Sequence, residues 1–150
     1  MTLELIDLRP AASDERWWRP PFDSQVAYEH PHWWSRQLGD DPWFVQVRER
    51  GVEVARVELD DPGGINPEYA NVPMLGDERL EIQFIEVAAA ARGRGVGGQV
   101  VRGLIEGHPN RRLFAYSMDA DWFWGRLGWQ PFYDSRRGPA GSPLFIQPVQ

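Results

Sequence analysis

The stretch "RGRGVGGQ", Arg92 to Gln99, places four glycines and two arginines in eight residues. An apolar run, "LEIQFIEV", precedes it and another, "VVRGLIEG", follows. Glycines weaken a regular element, so bare backbone here needs a reason. The N-terminus of a helix leaves backbone N–H groups unpaired and carries partial positive charge. Glycines there let an anion approach the main chain, and Arg92 and Arg94 add charge-assisted donors suited to phosphate. The competing reading is a flexible turn whose glycines allow tight helix packing. Strand, arginines, glycines and apolar helix in that order favour an anion cradle.

Gly93, Gly95 and Gly98 spell G-x-G-x-x-G, the dinucleotide fingerprint, and Asp119 stands where a ribose-binding acid would. The context does not fit. "AAAA" and Arg92 separate Val87 from Gly93, whereas a dinucleotide-binding glycine follows its strand almost at once. Only 52 residues remain after Gly98, too few for the further strand–helix units such a sheet needs. A P-loop is excluded because the chain has no lysine.

Other residues able to do chemistry are few. There is no cysteine, so disulfides, thiolate metal sites and a cysteine nucleophile are excluded. His30 and His32 form an H-x-H pair without an identifiable third ligand, and no metal site is expected. Trp17, Trp18, Trp33 and Trp34 are candidates either for a pocket that takes an aromatic or cationic amine, or for core beneath short helices. The net charge of −6 argues against a nucleic-acid binder and suits either a cationic substrate or simple solubility.

These residues need a scaffold of ordinary size. At 150 residues, 42% hydrophobic, the chain reads as one domain, 1–150. No apolar run is long enough to span a membrane, no secretion signal is visible, and a cytoplasmic location is expected. "LELIDLR" alternates at period two and reads as a strand. The segment from Ser13 to Leu38, interrupted by Pro20, Pro21 and Pro31, reads as short helices ending near Gly39. "WFVQVRERGVEVARVEL" is a hairpin, and "DDPGGINPEYANVPMLGDER" a long loop of the functional kind. "RLEIQFIEV" is a strand, followed by a helix with Val96, Val100, Leu104 and Ile105 on one stripe and a stop at Gly107 and Pro109. "RRLFAYSM" is a strand, Asp119 a helix N-cap for "ADWFWGRLG", and "WQPFYD" and "PLFIQPV" the last strands. The order describes a mixed α/β sheet with helices on its faces.

Two blocks resemble the GNAT superfamily of acyl-CoA-dependent N-acyltransferases. One is Val87, a five-residue step, then Arg92-Gly93-Arg94-Gly95-Val96-Gly97; the other is Ser117, Ala120, Phe123-Trp124, Gly128 and Trp129. The match runs from Leu80 to Phe132. It implies an α/β (α+β) fold with a mixed, mostly antiparallel twisted sheet of about seven strands and helices on both faces. It implies acetyl-CoA as cosubstrate and a primary amine as acceptor, a small molecule first and a protein N-terminus or lysine second; family members are often homodimers, and no metal, nucleic acid or membrane partner is expected. Arg92, Gly93, Arg94, Gly95, Val96, Gly97 and Gly98 would hold the pyrophosphate. Ile85, Glu86 and Val87 would pair with the pantetheine arm like an added strand, and Ser117, Phe123 and Trp124 would complete the coenzyme site.

Family bases lie on the strand before the glycine loop. At period two Glu81 shares a face with Val87 and Glu86 points the other way, so Glu81, acting through water, is the first candidate base and Glu86 the second. Backbone N–H near Val87 is the candidate oxyanion donor. The family's usual acid is a tyrosine where this chain has Trp124, whose indole does not titrate usefully. Tyr116 is the candidate replacement, although a thiol leaves tolerably unaided. Trp124 and Ser117, the latter in place of the family's Asn, also motivate an alternative: a non-catalytic acyl-CoA-binding module. The loop with Asn66, Tyr69 and Asn71 is expected to choose the acceptor.

Overall fold

A computed structural model describes residues 1–13 and 17–149. Of the Trp-rich segment, residues 14–16 therefore lie outside the described residues. Seven strands form one sheet in the order β1-β2-β3-β4-β5-β7-β6. They are β1 (Glu4–Leu8), β2 (Trp43–Glu49), β3 (Val52–Asp60), β4 (Arg79–Val87), β5 (Arg112–Tyr116), β6 (Gln130–Phe132) and β7 (Leu144–Ile146). The sheet is mostly antiparallel; β4 and β5 run parallel, through Arg79↔Arg112, Leu80↔Leu113 and Glu81↔Phe114. Two helices, α1 (Val96–Gly107) and α2 (Asp121–Arg126), complete the regular structure among the described residues. No described helix is long and apolar enough to cross a membrane. The chain divides into two compact units, residues 1–59 with 84–106, and 60–83 with 107–150.

In the first unit β2 and β3 close through Arg50 and Gly51, both at positive φ (52° and 79°), the two-residue turn whose twist matches its strands. β2 is buried on both sides because each face has a cover. Leu5 pairs with Val47, and Val45 with Val57, on the face that receives α1, where Gly103 lets the helix approach Leu5 closely. Val96, Val100, Val101 and Leu104 form the buried stripe of α1; Val101 takes the place expected for Ile105.

The opposite face, with Phe44, Gln46 and Arg56, is covered by the segment before β2. Among the described residues the expected helices are not there: one 3₁₀ turn, Pro31–Trp34, stands in for them, with Ser35 rather than Gly39 at its end. Prolines 20, 21 and 31 remove N–H donors and bias their neighbours away from helix. The cover is instead fixed by side chains. Glu53, 3% exposed, accepts from Asp23 N–H (2.9 Å), Tyr28 O–H (2.9 Å), Gln46 Nε2 (2.7 Å) and Arg56 Nε (2.9 Å). Phe22 packs edge-on against Phe44 and Trp34.

A bulge makes this network possible. Val47 pairs with Ala55 but Arg48 pairs with Glu53, so Val54 is an extra residue in β3. Glu53 and Arg56 are three apart, which in an unbroken strand puts them on opposite faces. The bulge returns Glu53 to the face of Arg56.

In the second unit the loop between β3 and β4 covers one face of the sheet. Ile65, Tyr69, Val72 and Leu75 pack on Phe114, Phe132, Leu144 and Ile146.

Candidate functional site

The first unit carries the glycine loop. β4 ends at Val87, and Ala88 N–H donates to the carbonyl of the bulged Val54 (2.8 Å). A short 3₁₀ turn, Ala89–Ala91, leads into Arg92. Gly93 and Gly95 then adopt φ of 78° and 75°, a region costly for any residue with a Cβ, and α1 begins at Val96. Nothing lies within 4 Å of where a Cβ would stand on either glycine. Open backbone thus adjoins the first turn of α1, whose N–H groups have no intrahelical acceptor. Both arginines are half-exposed and paired: Arg92 with Glu29 (2.6 Å) and, farther off, Glu86 (3.9 Å); Arg94 with Glu49 (2.9 Å). The bond from Arg92 holds the Glu29 carboxyl below its usual range.

Glu86 is a buried carboxylate, 5% exposed. Oε1 accepts from Trp34 Nε1 (2.8 Å) and Oε2 from His30 N–H (2.9 Å). It ties the Pro31–Trp34 turn to β4. Around it Trp33 packs on Phe84 (5.2 Å) and His30 stacks on Trp33 (4.1 Å). His30 and His32 thus belong to an aromatic cluster, and among the described residues no three His, Cys, Asp or Glu side chains are placed to hold a metal.

In the second unit the register of β4 with β5 puts Glu81, Phe114 and Tyr116 on one face. Gly63, at φ 82°, lies directly on Glu81: a Cβ there would stand 2.6 Å from Glu81 Cβ, 2.8 Å from its Oε1 and 3.0 Å from Phe114 Cζ. The Tyr116 hydroxyl accepts from Asn66 N–H (2.8 Å) and donates to the Gly64 carbonyl (3.3 Å). Burial raises the Tyr116 phenol above its ordinary value, and the neighbouring charge of Glu81 raises it further against the pull of the Asn66 amide. Arg79 Nε donates to the Gly63 carbonyl (2.9 Å). Tyr69 sits edge-on to Tyr116 (5.4 Å) and donates to the Ser142 carbonyl (2.7 Å).

Ser117 and Trp124 have structural tasks in the same unit. Ser117 is buried; its Oγ accepts from Ala120 N–H (3.1 Å) and donates to Asp121 (2.5 Å), fastening the start of α2. Asp119, expected as the cap, adopts a left-handed conformation instead (φ 54°). Trp124 is buried, with Phe123 and Trp129 against it (4.9 and 4.8 Å). A separate cleft of about 890 Å³, in the first unit, is lined by Trp17, Trp18, Asp40 and Asp41 among others. It contains neither the glycine loop nor Glu81, so the four tryptophans divide: two line a cleft, and Trp33 and Trp34 pack around Glu86.

No protein-family model and no curated protein sequence matches the chain. Solved structures do match. An acetyltransferase from Thermus thermophilus is similar at TM-score 0.55 and 16% identity, over 75% of this chain and 67% of that one. A GNAT family acetyltransferase from Elizabethkingia anophelis, solved with acetyl-CoA bound, matches at TM-score 0.55 and 12% identity over 97% of this chain and 98% of its own. The chain has the GNAT acetyltransferase fold. The toxin AtaT, solved with the C-terminus of its antitoxin AtaR and acetyl-CoA, is also similar, at TM-score 0.57 and 10% identity over 97% and 93%.

Within the GNAT fold, the sequence places the glycine loop correctly at the start of α1 and Glu81 and Glu86 on β4. Glu81 and Tyr116 come together in one cluster; Glu86 belongs to another, engaged by Trp34 and His30. Ile85 and Val87 are half-buried at the end of β4. Sequence reasoning missed Gly63 as a contact of Glu81, and Glu29 and Glu49 as partners of the loop arginines. "PGG" signalled a turn, but no local pattern tells which strand a turn will touch.

Proposed function

We propose that the chain is an N-acetyltransferase that moves the acetyl group of acetyl-CoA to a primary amine, with a small molecule as acceptor. The observation that carries this reading is the glycine loop of a GNAT fold, with Gly93 and Gly95 at positive φ and open space over their backbone. That surface fits a pyrophosphate: first-turn N–H groups of α1 as donors, Arg92 and Arg94 as cations able to exchange Glu29 and Glu49 for phosphate. Ile85 to Val87 offer strand backbone to the pantetheine arm.

Glu81 is the base in this reading. It takes, through a water, the proton that the ammonium group must lose before its nitrogen can attack the thioester carbonyl. The C–N bond forms, the C–S bond breaks and the thiolate leaves, and the second proton that the nitrogen sheds in becoming an amide passes through water to that thiolate. Transfer is direct, because there is no cysteine to carry an acyl-enzyme. Glu86 is assigned to structure, since Trp34 and His30 already engage its two oxygens. Trp124 gives no proton, and a leaving thiol of pKa about 8.5 departs as thiolate without one.

A second reading, a non-catalytic acyl-CoA-binding module, is favoured by two observations: Trp124 is packed inside and Ser117 is spent on α2. One experiment separates the two. Acetyl-CoA is titrated by calorimetry, and free thiol is followed with a panel of primary amines. Binding with amine-dependent thiol release is the expected result. Binding without release across the panel supports the module, and no binding at millimolar acetyl-CoA overturns both.

A further inference from the structure

Tyr116 is the one tyrosine on the face of β5 next to Glu81, and its hydroxyl already has both of its uses. A phenol carries one proton. Here the proton points to the Gly64 carbonyl, while the oxygen accepts the Asn66 amide, so the side chain bridges the two ends of the segment Gly64–Asn66. Gly63, immediately before that segment, approaches Glu81 so closely that no Cβ could stand between them. Tyr69 adds a second attachment beyond Asn66, its ring against Tyr116 and its hydroxyl on Ser142.

We propose that Tyr116 serves the acceptor amine and not the leaving thiol: its hydroxyl pins the Gly63–Asn66 segment beside Glu81, and Tyr116 and Gly63 are positioning residues that set how the amine meets that carboxylate. The proposal deepens the transferase reading and rests on it. Three observations bear on it separately. The hydroxyl bonds to main chain at both Gly64 and Asn66, which is how a side chain fixes a loop. Gly63 has the positive φ and the missing Cβ that the approach requires. The groups around the phenol, burial and the Glu81 carboxylate first among them, oppose its giving up a proton.

The test compares wild type with Tyr116→Phe in the full chain, by hydrogen exchange at the Asn66 amide and by steady-state kinetics with the best amine of the panel. The expected result is exchange at Asn66 faster by about tenfold, the scale of one lost hydrogen bond. Amine KM rises by a similar factor, kcat stays within about threefold, and the alkaline limb of the pH–rate profile does not move. A fall in kcat of about 10²-fold or more with unchanged KM and a displaced alkaline limb would mark Tyr116 as the general acid and overturn the proposal. Unchanged exchange at Asn66 overturns it as well. Gly63→Ala supplies a second probe, expected to raise amine KM in the same direction. Should wild type bind no acetyl-CoA, the transferase reading falls and the role toward the amine falls with it. The exchange arm still decides by itself whether the hydroxyl holds the Gly63–Asn66 segment.

Discussion

Each unit has a sheet face covered by chain with almost no regular structure, and the two covers are fastened in different ways. In the first unit the segment before β2 is held by buried carboxylates: Glu53 takes four donors and Glu86 two, at 3% and 5% exposure. In the second, the loop before β4 is held by a small apolar cluster and by tyrosine hydroxyls on main-chain groups nearer to water. A buried carboxylate stripped of a partner is expensive, so the first cover is all-or-none. A hydroxyl near water exchanges one partner for another at small cost, so the second cover can adjust. The cover that can adjust is the one that touches Glu81. In the transferase reading proposed above, that freedom suits a loop that selects the acceptor, which a scaffold does not need.

The comparison is open to attack at several points. Glu53→Ala should have the largest effect, because it strands Arg56 in the interior, and a loss of about 3–5 kcal/mol is expected in denaturant unfolding. A loss below about 1 kcal/mol would mean that the buried network is not what holds the first cover. Tyr69→Phe removes the bond to Ser142 and should lower stability by only about 0.5–1.5 kcal/mol. If it unfolds the protein as Glu53→Ala does, the contrast between the covers is wrong.

The smallest effect is one of pH. Glu29 is exposed and its pKa is lowered, chiefly by the bond from Arg92. A lowered pKa in the folded state means that the pair contributes above the ordinary carboxylate range and is lost as pH falls through the lowered value. Protonating Glu29 frees Arg92, so acetyl-CoA affinity measured by calorimetry should gain slightly across that window, by about twofold or less. Glu29→Gln should remove that part of the pH dependence.

Local pattern carried the strands into view. β4 could be bounded to the residue because its alternation is strong and a long loop and an alanine run flank it. The hairpin was legible because period-two alternation runs on both sides of a turn containing Gly51, which takes positive φ. The glycine loop was legible for the same reason: at Gly93 and Gly95 the residue type is dictated by backbone geometry.

The Trp-rich segment was not, since its partners, Glu53 and Glu86, lie far away in the chain and spacing says nothing about them. Asp119 looked like a cap by type, yet Ser117 reached the amide first and left Asp119 at a left-handed corner. In the site, period two separated Glu81 from Glu86 correctly. What it could not provide was Gly63, whose meaning lies in a contact eighteen residues later in the sequence.

Val54 has a consequence for how this chain can change over time. It is the residue that the β3 ladder skips, so Glu53 and Ala55 take opposite faces as if they were next neighbours. Substituting it trims a side chain. Removing its codon is a different event: Glu53 then stands two residues from Arg56 and keeps that face in a regular ladder, and what is lost is the Val54 carbonyl that Ala88 N–H reaches at the end of β4. Relatives that descend with this network should therefore tolerate many letters at that position, and a gap there would cost the tie to β4 rather than the buried network.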